Sequence, residues 1–181
     1  MKNKTPNIYI VTGDVHQGKT SFVRKVVEKL CANNMEVGGF LSLGEISHGQ
    51  RSGFVLRTLA NAKDVELCSD EPHDDWQQFR RFYFNPDAIA LGNEILKQEA
   101  QKQIPVVVVD EIGPMELNGF GWFPGISALQ THFSGTQIWV VRNTLVDEVK
   151  HFFRAQHSHI IDITKHNPQD LILSLALRKI K

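Results

Sequence analysis

Residues 11–21 read VTGDVHQGKTS. Gly13, Gly18, Lys19 and Thr20 fit G-x-x-x-x-G-K-[ST], the loop whose backbone N–H groups surround a phosphate chain. Such a dense anion is enclosed only where the chain wraps tightly and a helix N-terminus points at it. Gly13 and Gly18 permit the wrapping, and a helix beginning near Lys19 supplies the dipole. Lys19 is then expected to reach the β- and γ-phosphates, and the Thr20 hydroxyl to bind Mg²⁺. The nucleotide-binding stretch is Gly13 to Ser21, with Asp14, Val15, His16 and Gln17 at the variable positions. A side chain is tolerated there where it points outward and its φ stays negative, a condition that bears most on His16.

The flanks agree with this reading. NIYIVT (7–12) is an apolar, β-rich run that stops at Gly13, as a strand buried on both faces does. Beyond the loop, Phe22, Val23, Val26, Val27 and Leu30 recur at helical spacing, and the helix is expected to end near Asn33-Asn34. Two strands around 37–46 and 53–59, joined by SHGQRS, predict an antiparallel hairpin with a mobile tip. SDEPHDD (69–75) reads as a solvated acidic loop, FYF (82–84) as a short strand, and 86–103 as a helix with Pro86 in its first turn. Strand IPVVVVDE (104–111), strand QIWVV (137–141), helix 146–155, strand HIIDI (159–163) and helix 167–180 complete the chain. Strand and helix in turn predict a three-layer α/β fold of the P-loop NTPase kind. Its mostly parallel sheet is flanked by helices and carries an inserted antiparallel hairpin, in a single domain over 1–181.

Asp110 ends the all-valine strand, at the carboxyl edge of the sheet where open α/β folds bind their ligands. This is a Walker B arrangement, with Asp110 holding Mg²⁺ and Glu111 polarising a water for attack on the γ-phosphate. D-E-I-G (110–113) also fits the D-x-x-G pattern of GTPases. That reading requires an N-K-x-D guanine reader, and Asn143 to Asp147 offers only N-T-L-V-D. Arg142 and Asn143 stand where related ATPases place a polar sensor of the γ-phosphate.

Twenty basic residues balance twenty acidic ones, which excludes the electrostatic footprint of a dedicated nucleic-acid binder or a polybasic membrane protein. The start, MKNKTPNIYIVTG, has the pattern of neither a signal peptide nor a membrane span. Cys31 and Cys68 lack paired metal or redox spacing, so a reducing, cytoplasmic compartment is expected. Oligomeric state is open, with a monomer the simplest expectation.

VDEIGPMEL (109–117) resembles the hallmark of the small P-loop nucleoside-triphosphatases that include cancer-related nucleoside-triphosphatase and its thermophile relatives. GFLS with SHGQRSGF (39–54) is similar to that family's hairpin and its arginine, and IIDITKHN (160–167) to its last strand and turn. The resemblance implies Mg²⁺-dependent hydrolysis of ATP, GTP and other nucleoside triphosphates to diphosphate and phosphate. By position it gives phosphate and metal to Gly13, Gly18, Lys19 and Thr20, metal to Asp110, and the water to Glu111. Arg51 takes the place of the family arginine at the hairpin tip, as a mobile cation for the γ-phosphate. Glu116 also matches, as an orienter of its loop. The family usually writes G-x-P-G-x-G-K-T-T, and Val15, His16 and Ser21 depart from it. Two other classes use the same phosphate site: a nucleotide or small-metabolite kinase, and a non-catalytic ATP-binding switch or cofactor-assembly factor.

Overall fold

The structure, a computed structural model, describes residues 7–178. In chain order its elements are β1 (Asn7–Gly13), α1 (Lys19–Ala32), β2 (Val37–Ser47), β3 (Gln50–Thr58), β4 (Asp64–Ser69), β5 (Gln77–Phe79), β6 (Phe82–Phe84) and α2 (Pro86–Gln101). There follow β7 (Val106–Ile112), α3 (Pro114–Leu117), α4 (Phe123–His132), β8 (Thr136–Arg142), α5 (Val146–Phe152), β9 (His159–Asp162) and α6 (Pro168–Arg178). The first six residues, where the signal-free start was read, and the last two positions of the helix expected over 167–180 lie outside the described residues.

One sheet runs through the molecule in the order β5-β6-β4-β3-β2-β7-β8-β1-β9. From β2 to β9 the strands pair parallel, with Gly13 of β1 level with Arg142 of β8 and Asp110 of β7 level with Val140. Side chains alternate across this sheet and build two cores. Ile8, Ile10, Val107, Val109, Trp139 and Val141 face α2, α4 and α5. Tyr9, Val11, Val106, Val108, Ile138 and Val140 face α1 and α6. Burial on both faces is why β7 reads as an unbroken apolar run, each valine contributing about 1.5–3 kcal/mol. The buried stripe of α1 is the one its spacing predicts: Phe22, Val23, Val26, Val27 and Leu30.

The expected hairpin is the first part of a longer antiparallel extension. β3, β4, β6 and β5 continue the same sheet beyond β2, each paired antiparallel to its neighbour. The expected six-residue tip is a two-residue turn, His48–Gly49, with φ of 49° and 78°, as the twist of a tight hairpin favours. Arg51 consequently lies in β3 and not at a mobile tip. β4, β5, α3 and α4 are elements that the sequence reading does not assign. β5 and α3 are too short for a period to show, and α4 opens within the glycine-rich aromatic run 118–125. The helix expected over 146–155 ends at Phe152, and Arg154 takes a φ of 53°.

Where β2 meets β7, Gly39 has a φ of 89°, and a Cβ there would overlap the Val108 carbonyl oxygen. Gly39→Ala therefore combines a left-handed backbone with a clash against a central strand. It is expected to cost roughly 2–4 kcal/mol of stability, read as a lowered urea midpoint.

Candidate functional site

The loop after β1 is tied down by its own side chains. Asp14 N donates to Gln17 Oε1 at 2.6 Å, Gln17 Nε2 to Asp14 Oδ2 at 3.3 Å, and Asn143 Nδ2, from the end of β8, to Asp14 Oδ1. Lys19 Nζ donates to the Asp14 carbonyl at 2.8 Å, so the ammonium lies across the loop and not in solvent. Burial lowers its pKa below the ordinary lysine value, with Glu111 foremost among the carboxylates pulling it back. Gly18 caps α1 with a φ of 90° and no side-chain cap bond, which leaves the first-turn N–H groups for an anion. Gly13 is closed in from the far side: a Cβ there would stand 2.8 Å from Ile163 Cγ1, in the turn after β9. Ser21, in the first turn of α1, and Val15 are exposed.

His16 departs from the condition set for it. Its φ is 63°, in the left-handed region that favours glycine, so the loop imposes this conformation on a side-chain-bearing residue. Histidine tolerates it better than most residues.

Asp110 has no exposed surface. Ser42 of β2 holds it twice: Ser42 N donates to Asp110 Oδ2 at 3.2 Å, and the Ser42 hydroxyl donates to the Asp110 carbonyl. Oδ1 is buried with no hydrogen-bond partner. Burial, then Glu111, push the carboxyl up to about 7, against the opposing pull of Ser42, the nearby Thr20 hydroxyl and Lys19. A register shift between Asp110 and Ile112 re-aims the next side chain, as bulges do beside active sites. Glu111 Oε1 is gripped by Arg142 Nε at 2.7 Å, in a pair that is 28% and 34% exposed. Arg142, read as a phosphate sensor, is thus the partner of the expected base, and Asn143 is a tether of the loop.

Glu116, expected as an orienter of its loop, holds that loop from both ends. Its buried carboxylate accepts from Gly113 N at 2.8 Å and from Trp122 N at 3.0 Å. Asn93 of α2 completes the clamp, donating to the Gly121 carbonyl and accepting from Gly125 N, both at 2.8 Å. These bonds shape the aromatic stretch 118–125, where Trp122 is buried against Phe40 and Phe120 is exposed. Burial pushes the Glu116 carboxyl up to about 7 despite the two N–H donors.

Thr20, Ser42, Asp110, Glu111 and Arg142 open onto a cavity of about 600 Å³, walled on the far side by Arg51, Arg80 and Arg81 and by Phe54, Phe79, Phe82 and Phe84. Arg51 therefore joins the site, from β3. Arg80 and Arg81 form the turn between β5 and β6. Among the described residues no group of three or more His, Cys, Asp or Glu side chains is placed to hold a metal by itself, and no helix is long and apolar enough to cross a membrane.

A glycine-wrapped loop running into a helix, a buried acid near the end of the strand two places away, and a parallel sheet that brings the two together define a P-loop nucleotide-binding protein. The NTPase_1 family model, described as NTPase, matches residues 8–176, and the chain belongs to that family. Nucleoside-triphosphatase THEP1 of Sulfurisphaera tokodaii is 32% identical over 110 residues, 60% of this chain and 62% of that protein. THEP1 of Thermofilum pendens is 30% identical over 119 residues, 65% of this chain and 64% of that protein. The chain thus spans less than two thirds of the length of these relatives. The cancer-related nucleoside-triphosphatase homolog of Mus musculus is 26% identical over 178 residues, 90% of each chain. The solution structure of a human cancer-related nucleoside triphosphatase superposes with a TM-score of 0.70 at 22% identity, covering 95% of this chain and 96% of that one. The crystal structure of THEP1 from Aquifex aeolicus gives 0.63 at 23% identity, covering 86% and 88%. At these identities the two structures bear on the fold alone.

Two measurements test this geometry. His16→Gly relieves the left-handed strain, less the chain entropy that glycine adds to the unfolded state, and is expected to gain about 0.5–1 kcal/mol. For a chain of this size, that appears as a Tm higher by about 1–4 °C. Glu116→Gln keeps the shape but turns one acceptor into a donor facing a backbone N–H, and is expected to lose about 1–3 kcal/mol in urea denaturation. Because the folded value of Glu116 lies above its ordinary 4.5, the stability it contributes is full below that pH and is lost as pH rises through about 7. Asp110 contributes with the same sign, so the variant's stability declines over that range less steeply than the wild type's.

Proposed function

We propose that the chain is a Mg²⁺-dependent nucleoside-triphosphatase that hydrolyses the β–γ phosphoanhydride to diphosphate and phosphate. The observation that carries the reading is the pairing of two adjacent carboxylates with different partners. Asp110 is wholly buried with Oδ1 unpartnered, whereas Glu111 is half-exposed and held through one oxygen by Arg142. A buried carboxylate with an orphan oxygen beside the Thr20 hydroxyl fits a hard, oxygen-seeking cation. Thr20 and Asp110 would hold Mg²⁺ there, and the ion would supply positive charge to offset the negative charge of the phosphates.

The remaining steps belong to the chain. The loop N–H groups and the start of α1 receive the phosphates, and Lys19 exchanges its bond to the Asp14 carbonyl for phosphate oxygens. Arg142 fixes Glu111 through Oε1 and leaves Oε2 to orient a water and accept its proton as the water oxygen attacks the γ-phosphorus. Arg51, on the cavity wall, supplies positive charge to the γ-phosphate end. The nucleoside then extends toward the turn after β9, where Ile163 N donates to the Thr12 carbonyl beside the loop and Asp162 orders Thr164, Lys165 and His166. The Thr164 hydroxyl and N–H and Lys165 hold Asp162 down at about 2, so it stays charged throughout the working range. We place the activity in a reducing compartment such as the cytoplasm. The support is two unpaired thiols, Cys31 exposed and Cys68 buried in β4, where burial pushes the thiol up to about 12.

Phosphate release from a panel of nucleoside triphosphates, with and without Mg²⁺, tests the reading. Lys19→Ala is expected to lose nucleotide affinity. Glu111→Gln is expected to bind the nucleotide while turning over about 10²–10⁴-fold more slowly, and chelation of the metal is expected to stop release. Equal, undetectable release from wild type and Glu111→Gln would instead indicate a binding switch. Phosphate recovered only on an added acceptor would indicate a kinase.

A further inference from the structure

The wall facing the phosphate loop repeats one motif three times. Arg51 lies over Phe54 with 5.3 Å to the ring centroid, Arg80 over Phe79 at 5.9 Å, and Arg81 over Phe82 at 4.5 Å. These are the arginine–aromatic contacts of the described residues, and all line the one cavity. The rings are half-buried and set edge to face, Phe54 against Phe82 and Phe79 against Phe84. Arg81 Nη2 donates to the Arg51 carbonyl at 3.0 Å and Arg51 Nη1 to the Glu45 carbonyl at 3.3 Å, which leaves each guanidinium further N–H groups for a ligand.

None of the three arginines appears in the ion pairs of the described residues, whereas Arg24, Arg57 and Arg142 do. Arg51 Nε is buried with no hydrogen-bond partner. Arg80 carries a φ of 56° in a two-residue turn, where asparagine or glycine would cost less. Nearby acids do not neutralise the wall. Glu111 is engaged by Arg142, Glu116 by two backbone N–H groups, and Asp110 is buried beneath the phosphate end.

On the hydrolase reading the nucleotide leaves the far wall of this space free. The cavity meets the phosphate loop at Val15, His16 and Thr20, with Asp110 beside them, and then runs over β2 and the antiparallel strands. The turn after β9, where the nucleoside is directed, lies on the other side of β1 in the sheet order. About 600 Å³ is the size of a site for a small organic molecule.

We infer that the arginine–phenylalanine wall is a second-ligand site for a small planar anion. Its ring system would lie against Phe79, Phe82 and Phe84, and its carboxylate or phosphate would be taken by Arg80 and Arg81, beside the γ-phosphate. The inference rests on the hydrolase reading only for what occupies the phosphate loop.

The probe is 1-naphthyl phosphate, a ring carrying an anion, compared with 1-naphthol and with inorganic phosphate. Binding to the full chain is followed by fluorescence titration, alone, with Mg²⁺ and a non-hydrolysable ATP analogue, and in Lys19→Ala. One site is expected at least about ten-fold tighter than for either half-probe, since each half-probe forgoes either the ring stacking or the charge-assisted hydrogen bond. Affinity is expected to persist with the analogue bound and in Lys19→Ala. The double variant Arg80→Gln/Arg81→Gln is expected to weaken it about ten-fold or more while a fluorescent ATP derivative binds as tightly as to wild type. The inference is overturned by equal binding to the double variant, by no advantage over the half-probes, or by displacement with the ATP analogue. Loss of ATP affinity in the double variant also overturns it, by giving those arginines to the triphosphate. Failure of wild type to bind ATP while 1-naphthyl phosphate still binds through Arg80 and Arg81 would sink the hydrolase reading and leave this site standing.

Discussion

A carboxylate with no exposed surface at the end of an all-valine strand sets the terms for everything around it. Isolated in an apolar interior, the charged form of Asp110 is costly, and the bonds from Ser42 recover only part of that cost. The acid is pushed up to about 7 and keeps one oxygen without a partner. The surroundings are arranged to exploit this: the loop with Lys19 and Thr20 follows the strand two places away, and β2 supplies the serine that fixes the carboxylate's orientation. A neutral residue at 110 would remove the buried charge and, with it, the oxygen proposed to hold a cation at the phosphate end.

The chemistry nearest the phosphates was legible because it is carried by local spacing. A glycine loop between a buried strand and an amphipathic helix, and an acid after four valines, are written in consecutive residues, and the helical stripe of α1 is where its period puts it. What escaped is held by contacts between residues far apart in the chain. Ser42 binds Asp110 across 68 positions and Arg142 binds Glu111 across 31. Serine in an apolar strand was a faint signal for the first, and nothing local announced the second. Nothing local marks Arg80 and Arg81 as part of the site, because β5 has only three residues, too few to show that a hairpin turns there. The φ of His16 was flagged by glycine's usual place in the motif, but its sign could not be read from the chain.

Two kinds of electrostatics meet in the cavity. On the β7 side each charge has a close counterpart: Glu111 with Arg142, Lys19 with the Asp14 carbonyl, Glu116 with two N–H groups. That pairing gives fixed geometry, which bond-breaking at phosphorus demands. On the β3–β6 side the charges rest near aromatic rings and, among the described residues, make no ion pair, an arrangement that favours anions as a class without prescribing one geometry. Rigid pairing serves the reacting end, and loosely held charge serves recognition.

Both sides belong to one sheet. β2 pairs with β7 through Val37 to Phe40 and with β3 from Phe40 onward, so the strand that carries Ser42 is also the root of the antiparallel extension. The far wall is therefore not a flap on a hinge. A displacement of the β5–β6 turn is a twist of the sheet, passed from strand to strand by backbone hydrogen bonds until it reaches the serine gripping Asp110. In mechanical terms, Ser42 sits at the fulcrum of a lever whose long arm is the arginine–phenylalanine wall and whose short arm is the buried Asp110 carboxylate.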